Sequence, residues 1–201
     1  MLELWIADKR FSSWSLRPWL LMKVLNIRFS EKLVGFELSD REGDKFKGIS
    51  PSGLLPCLKF GREDIWDSLA IMEFVGDLYP EVWPSNPTAK AWSRSVMAEM
   101  HSGFSALRQV CPMDCHLKNG LFVRTPAVDR DIWRINEIWE MGLDKFGGPW
   151  LAGDSFGPVD AYFAPVLLRA NSYNIHFTQR CDGWIKNMLA LKQLNQWINE
   201  S

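Results

Sequence analysis

The chain has 201 residues, 47% of them hydrophobic, and a formal net charge of −1. That length holds one large domain or two small ones with ample core, and the composition excludes a disordered chain. The near-neutral charge offers nucleic acid no electrostatic footprint, and no apolar run reaches the ~18 residues of a membrane span. Leu2-Glu3-Leu4-Trp5-Ile6-Ala7 alternates and reads as a strand. Leu16, Leu20 and Val24 then lie four apart, which predicts a helix over 15–26. Ser15 serves as its N-cap, Pro18 falls in its first turn, and Asn26 ends it in a left-handed conformation.

Residues 30–38 give a second strand, and Ser39 to Gly48 a polar loop with at most a short helix. Ser50-Pro51-Ser52-Gly53 is turn chemistry. Leu54 to Phe60, a turn at Gly61-Arg62, and Ile65-Trp66 make a small hairpin. A helix over 67–79 follows, with Ile71, Val75 and Leu78 on one face, Asp67 or Ser68 as cap, and Pro80 as stop. The order β-α-β-(α)-β-β-α is the plan of a thioredoxin-like domain over 1–79. Pro80, Pro84 and Pro87 mark a stiff linker over 80–87. Beyond it the pattern is helical throughout. One helix spans 87–110 with Val96, Met100, Phe104 and Leu107, and Pro112 ends it. Another spans 126–146 with Ile132, Ile135, Trp139 and Leu143, and Gly147-Gly148 ends it. Gly157, Pro158 and Asp160 are the N-cap, N1 and N3 residues of a third, and shorter helices follow at 178–189 and 190–199. The fold class is therefore a mixed α/β domain followed by an all-helical domain over 88–201.

Three places carry chemistry. At Ser12-Ser13, unpaired amides and the positive end of a helix dipole suit an anion, phosphate or thiolate. Taken alone, these serines read as turn and cap residues. At Leu55-Pro56, a cis bond would turn the Leu55 N–H and C=O outward to pair with a peptide-like ligand. The base rate favours trans, and the thioredoxin-like order of elements reverses it. At Asp67-Ser68, a helix N-terminus with a hydroxyl and a carboxylate suits the carboxylate and ammonium of an α-amino acid end. Cys111-Pro112-Met113-Asp114-Cys115-His116 lacks the fourth ligand and tight spacing of a metal site, so no metal is expected. His101 lies mid-helix and reads as a packed residue rather than a catalytic one. Four unevenly spaced Cys (57, 111, 115, 181) and no secretory signal pattern lead us to expect reduced thiols and a cytoplasmic protein.

Together these pieces resemble a cytosolic glutathione S-transferase, nearest to the zeta class or its bacterial kin. The resemblance covers the whole chain and rests on four motifs in order. They are Ser12-Ser13-Trp14-Ser15, Ser50-Pro51-Ser52-Gly53-Leu54-Leu55-Pro56, Asp67-Ser68-Leu69-Ala70-Ile71, and Leu151-Ala152-Gly153-Asp154 through Asp160-Ala161. It implies glutathione as co-substrate and a thiolate activated by a serine hydroxyl. Ser12 aligns with the zeta-class serine, and Ser13, one residue away, is the alternative. Trp14 would border the site. Leu55, before a cis Pro56, would pair with the cysteinyl backbone. Asp67 and Ser68 would hold the γ-glutamyl ammonium and carboxylate, and Arg41 or Lys45 the glycine carboxylate. Trp14, Phe104, Ala106, Val110 and Met113 are the expected wall of a pocket for a small, largely apolar electrophile. A homodimer is implied, with neither nucleic acid nor membrane as partner. Where zeta enzymes carry Ser-Ser-Cys and two arginines flanking a valine, this chain has Trp14 for the Cys and Trp19 for the second Arg. The loss of that charge argues against isomerisation of a maleylacetoacetate-type substrate, which stands as one alternative. A non-catalytic, partner-binding protein of the same fold is the other.

Overall fold

The computed structural model describes residues 1–35 and 46–201. Its sheet is built from β1 (Leu2–Ala7), β2 (Phe29–Val34), β3 (Cys57–Phe60) and β4 (Glu63–Ile65), in the order β2-β1-β3-β4. β1 is central because Leu2, Leu4 and Ile6 bury one face of it. It pairs parallel with β2 (Leu4 opposite Glu31) and antiparallel with β3 (Leu4 opposite Leu58). Parallel strands need a crossover, which α1 (Ser13–Val24) supplies. β3 and β4 form the expected hairpin, with Gly61 at φ 66° in its turn. Positions 36–38 of the predicted second strand, most of the polar loop, and both Arg41 and Lys45 lie outside the described residues.

α1 begins two residues earlier than its spacing predicts. Ser12, not Ser15, is the N-cap: its Oγ accepts from the Ser15 N–H at 3.4 Å and bonds the Ser15 hydroxyl at 2.7 Å. Ser15 is instead buried, its Oγ accepting from the Ala7 N–H at 3.2 Å, which pins the helix to β1. Pro18 consequently lies inside the helix, where the Trp14 carbonyl finds no N–H four residues on. Asn26 is left-handed as predicted, at φ 56°.

α2 (Ser68–Leu78) is capped by Asp67, whose Oδ1 accepts from the Leu69 N–H at 3.0 Å. Ile71 and Val75 are buried, but Leu78 is 38% exposed, and Met72 takes the inner position instead. A 3-10 turn at Pro80–Val82 leads on to α3 (Pro87–Ser102) and α4 (Ser105–Val110). The single helix expected over 87–110 is therefore broken. Gly103 closes α3 by donating its N–H to Glu99 O at 2.8 Å, and Phe104 turns left-handed at φ 57°. The new direction carries the Leu107 N–H to Asp131 Oδ2 at 2.9 Å.

Asp131 belongs to α5 (Pro126–Phe146), which starts at a Thr125 cap and ends at Gly147 with φ 82°. α6 (Pro158–Tyr173) is buried along nearly its whole length, and both α1 and α3 pack on it. A 3-10 turn at Gln179–Cys181, α7 (Asp182–Leu189) and α8 (Lys192–Asn199) complete the chain; the expected helix over 178–189 thus opens as a 3-10 turn. α8 returns to α1, where the buried Lys9 ammonium joins Glu31 (2.6 Å) to Glu200 (2.5 Å). Among the described residues, no helix is long and apolar enough to cross a membrane.

Candidate functional site

A cleft of about 340 Å³ opens between the N-terminus of α1, the turn before β3, the start of α2 and the end of α3. It is lined by Trp14, Ser52, Leu54, Leu55, Pro56, Trp66, Asp67, Ser68 and His101. Hollows of about 620 Å³ beside the Asn26 turn and below Trp83 are larger. The smaller cleft is the candidate because titratable groups from separate elements converge on it.

The Leu55-Pro56 bond is cis. Gly53, at φ 71°, closes the preceding turn by donating its N–H to Ser50 O at 2.9 Å. Asp67 and Ser68 stand at the α2 N-terminus, where free amides and the helix dipole favour an anion. Ser68 is fully buried, its hydroxyl 3.4 Å from the Tyr162 phenol oxygen. That phenol lies 2.8 Å from His101 Nδ1, and His101 Nε2 lies 3.0 Å from Asp67 Oδ2. Burial pushes the Tyr162 phenol up, against the pull of the Arg17 charge.

Trp14 forms the opposite wall. Its ring meets His101 edge-on at 5.2 Å between centroids. The Arg17 guanidinium sits 4.0 Å from the Trp14 ring and 4.3 Å from the Tyr162 ring, a cation between two aromatic faces. Arg17 Nε donates to Tyr162 O at 3.1 Å, while Nη1 and Nη2 are buried without a hydrogen-bond partner. Arg108 lies 5.2 Å from the Trp14 ring. Arg169 donates to Ser13 Oγ at 3.3 Å and to Cys111 O at 2.9 Å. Among the described residues, no carboxylate pairs with Arg17, Arg108 or Arg169. Burial, reinforced by mutual repulsion, pushes Arg17 down to about 9 and Arg169 down to about 10. The site is therefore backed by uncompensated positive charge.

Residues 11–78 match the family model of the glutathione S-transferase N-terminal domain. The chain is 26% identical over 170 residues to a probable maleylacetoacetate isomerase of Caenorhabditis elegans, covering 81% of this chain and 76% of that one. It is also 26% identical over 180 residues to glutathione S-transferase GstB of Escherichia coli, covering 79% of this chain and 78% of that one. Residues 11–78 thus carry a glutathione S-transferase N-terminal domain, and the sequence likeness to these two relatives runs over about four-fifths of the chain. Solved structures extend the likeness in fold to both halves. A glutathione transferase homologue from Burkholderia, with bound glutathione, superposes with a TM-score of 0.72 at 18% identity, over 98% of this chain and 96% of that one. Ure2p in complex with glutathione gives 0.73 at 17%, over 97% and 96%. The fold is that of a glutathione S-transferase: a thioredoxin-like sheet unit followed by a helical one.

The cleft brings together Trp14, Leu55, Pro56, Asp67 and Ser68 of the predicted site residues. Ser12 does not line the cleft; it is the α1 cap, two residues before Trp14 and partly exposed. Ser13 is buried and faces Arg169. The expected pocket wall divides. Phe104 and Met113 are buried in the core, Ala106 and Val110 pack against it, and none of the four lines the cleft. Phe104 falls on the apolar face of Val96, Met100 and Leu107 and is buried with them, although the helix breaks at its left-handed backbone, φ 57°. Trp19 is fully buried, donating to Glu31 Oε2 at 2.6 Å, so it takes no charge out of the cleft. Residue-by-residue reading missed His101, Tyr162, Arg17, Arg108 and Arg169. The available signal was a phenol and a guanidinium, Tyr162 and Arg169, inside an otherwise apolar helical run.

Proposed function

We propose that this protein conjugates the glutathione thiolate to a small electrophile. The observation that carries the reading is the convergence of the α1 N-terminus, the cis Leu55-Pro56 and Asp67-Ser68 on one cleft in a glutathione S-transferase fold. We read residues 1–79 as the glutathione-binding domain, 80–87 as the linker and 88–201 as the helical domain that contributes Arg108, His101 and Tyr162 to the site. Leu55 offers its backbone to the cysteinyl unit, and Asp67 and Ser68 take the γ-glutamyl end. The geometry favours Ser12 over Ser13 as the thiolate partner. The Ser13 hydroxyl is engaged with Arg169, whereas the Ser12–Ser15 pair can exchange roles: Ser15 donates to Ser12, and the Ser12 proton turns to the sulfur. A hydrogen bond to the charged form lowers a pKa, and the buried cations act in the same direction.

The test is thiolate absorbance of enzyme-bound glutathione against pH. Ser12→Ala raises the apparent thiol pKa by about 1 and lowers turnover about tenfold at neutral pH. Unchanged values, with the same losses in Ser13→Ala, would transfer the role to Ser13. Failure to bind immobilised glutathione would favour a non-catalytic partner-binding protein. We further propose a cytoplasmic homodimer, in keeping with the family.

The Arg17 and Arg108 guanidinium groups, neither paired with a carboxylate among the described residues, favour a second reading of the substrate. An electrophile carrying a carboxylate, as in glutathione-dependent isomerisation of a small acid, would meet compensating charge beside Trp14. Paired assays on a maleyl-type acid and its neutral ester separate the readings, since only the second favours the acid.

A further inference from the structure

His101 belongs to the site but has no chemical role in the scheme above, yet it occupies the junction of that site. It is near the C-terminus of α3 and bonds groups from two other elements: Asp67 at the α2 cap and Tyr162 on α6. A carboxylate offers only acceptors, so the proton facing Asp67 Oδ2 belongs to His101 Nε2. In the neutral imidazole Nδ1 is then an acceptor, and the Tyr162 O–H donates to it. The Asp67 carboxylate thereby selects the tautomer, the phenol satisfies the remaining ring nitrogen, and the Trp14 ring packs edge-on against the imidazole at 5.2 Å. Asp67 is held from both ends: Oδ1 by the Leu69 N–H at 3.0 Å and Oδ2 by His101 at 3.0 Å. One lone pair on each oxygen remains for a ligand, and the carboxylate is about half exposed to the cleft.

We infer that His101 is a positioning residue that fixes the Asp67 carboxylate for the free α-amino group of the ligand, with Tyr162 holding the His101 ring in the required orientation. The inference rests on the reading of this cleft as the glutathione site. Held by His101 as well as by the Leu69 amide, the short aspartate becomes a rigid acceptor, and a preorganised acceptor discriminates for an ammonium group better than a flexible one. The residue acts on the amino end of the ligand, so the thiol end is left alone.

Calorimetric titration with two ligands tests it: glutathione, and glutaryl-cysteinyl-glycine, which lacks only the amino group. Wild type prefers glutathione. His101→Phe raises the Kd for glutathione roughly tenfold, the scale of one charge-assisted hydrogen bond, and leaves the glutaryl ligand within about twofold. The thiol pKa of bound glutathione stays unchanged. His101→Gln, whose amide reaches Asp67 as Nε2 does, restores most of the loss, and Tyr162→Phe reproduces it in part, about threefold. Should the Phe variant not fold, His101→Asn carries the same expectation, because it keeps a partner for Tyr162 but cannot reach Asp67. Equal weakening of both ligands, a Gln variant no better than Phe, or unchanged glutathione affinity would each overturn the inference while the proposed function stands. Wild type that binds neither ligand would overturn both.

Discussion

Asp160 is the buried carboxylate on which the core helix α6 begins. Its side chain is fully buried. Oδ1 accepts from the Leu151 N–H at 3.0 Å and from Trp184 Nε1 at 2.7 Å, and Oδ2 accepts from the Gly157 N–H at 2.9 Å. Asp160→Asn keeps the volume and one oxygen but turns an N–H2 group toward a donor. Leaving one buried donor unpaired and weakening two charge-assisted bonds costs about 2–3 kcal/mol in unfolding free energy at neutral pH. The pH dependence sharpens the test. Burial pushes the Asp160 carboxyl up from 3.8 to about 6, although its three donors pull the other way. The folded state therefore holds this proton more tightly than the unfolded chain. The stabilisation is fully present below pH ~4 and lost as pH rises through ~6, about 3 kcal/mol in all. The Asn variant lacks this titration, so subtracting its stability cancels the other groups. The wild-type advantage in urea unfolding should be about 2 kcal/mol larger at pH 4.5 than at pH 7.5. An advantage that shrinks on acidification would show that the three donors outweigh desolvation. A neutral-pH cost below about 1 kcal/mol would show that the bonds are weaker than their geometry implies.

Other consequences are open to direct measurement. Lys9→Met strands Glu31 and Glu200 without their shared cation. Both carboxylates keep some solvent, so the loss is about 1–2 kcal/mol by denaturant unfolding rather than the larger cost of a fully buried pair. A cost near zero would deny the clamp between α8 and the sheet. Gly142→Ala places a Cβ 2.4 Å from the Leu151 carbonyl oxygen and 2.5 Å from the Trp92 ring, so it should cost about 2–3 kcal/mol; an unchanged melting curve would contradict that contact. Arg17→Met removes an uncompensated buried cation held down to about 9. It should leave the fold equally stable or more stable by about 1 kcal/mol while weakening turnover of acidic electrophiles relative to neutral ones. Marked destabilisation would mean that the stack with Trp14 and Tyr162 outweighs desolvation.

Much of this fold is written in local signals. The helix over Pro126–Phe146 is delimited by Thr125, Pro126 and Gly147, and those chemistries sit next to one another in the chain. The same holds for Gly157-Pro158 and for the Asp67 cap. The break at Gly103-Phe104 was not legible. The spacing of Val96, Met100, Phe104 and Leu107 fits one helix, and only the distant Asp131 rewards the turn that interrupts it. Ser12 and Ser15 exchanged places because the cap is decided by which serine the Ala7 amide claims, a contact across eight residues. The Asp67 pair was legible as chemistry and the cis Leu55-Pro56 through the order of elements. His101 was not, because its meaning lies in two partners 34 and 61 residues away in sequence, as Asp67 and Tyr162 are from it.

One helix joins stability to chemistry. Tyr162 and Arg169 lie seven residues apart on α6 and hence on one face, since two turns span about 7 residues. Both meet α1: Arg17 at Tyr162 and Ser13 at Arg169. The numbers run in opposite senses, so the two helices are antiparallel along this seam. Asp160 sets where α6 begins, two residues before Tyr162. A shift at that cap moves the phenol that holds His101 and the guanidinium that holds Ser13, and so disturbs both ends of the cleft. Asp160→Asn should accordingly weaken glutathione and its glutaryl analogue alike, by about threefold each, at temperatures where the variant is fully folded. His101→Phe discriminates between those ligands. If Asp160→Asn discriminates equally, its effect reaches the site through Tyr162 and His101 alone, and the seam along α1 carries none of it.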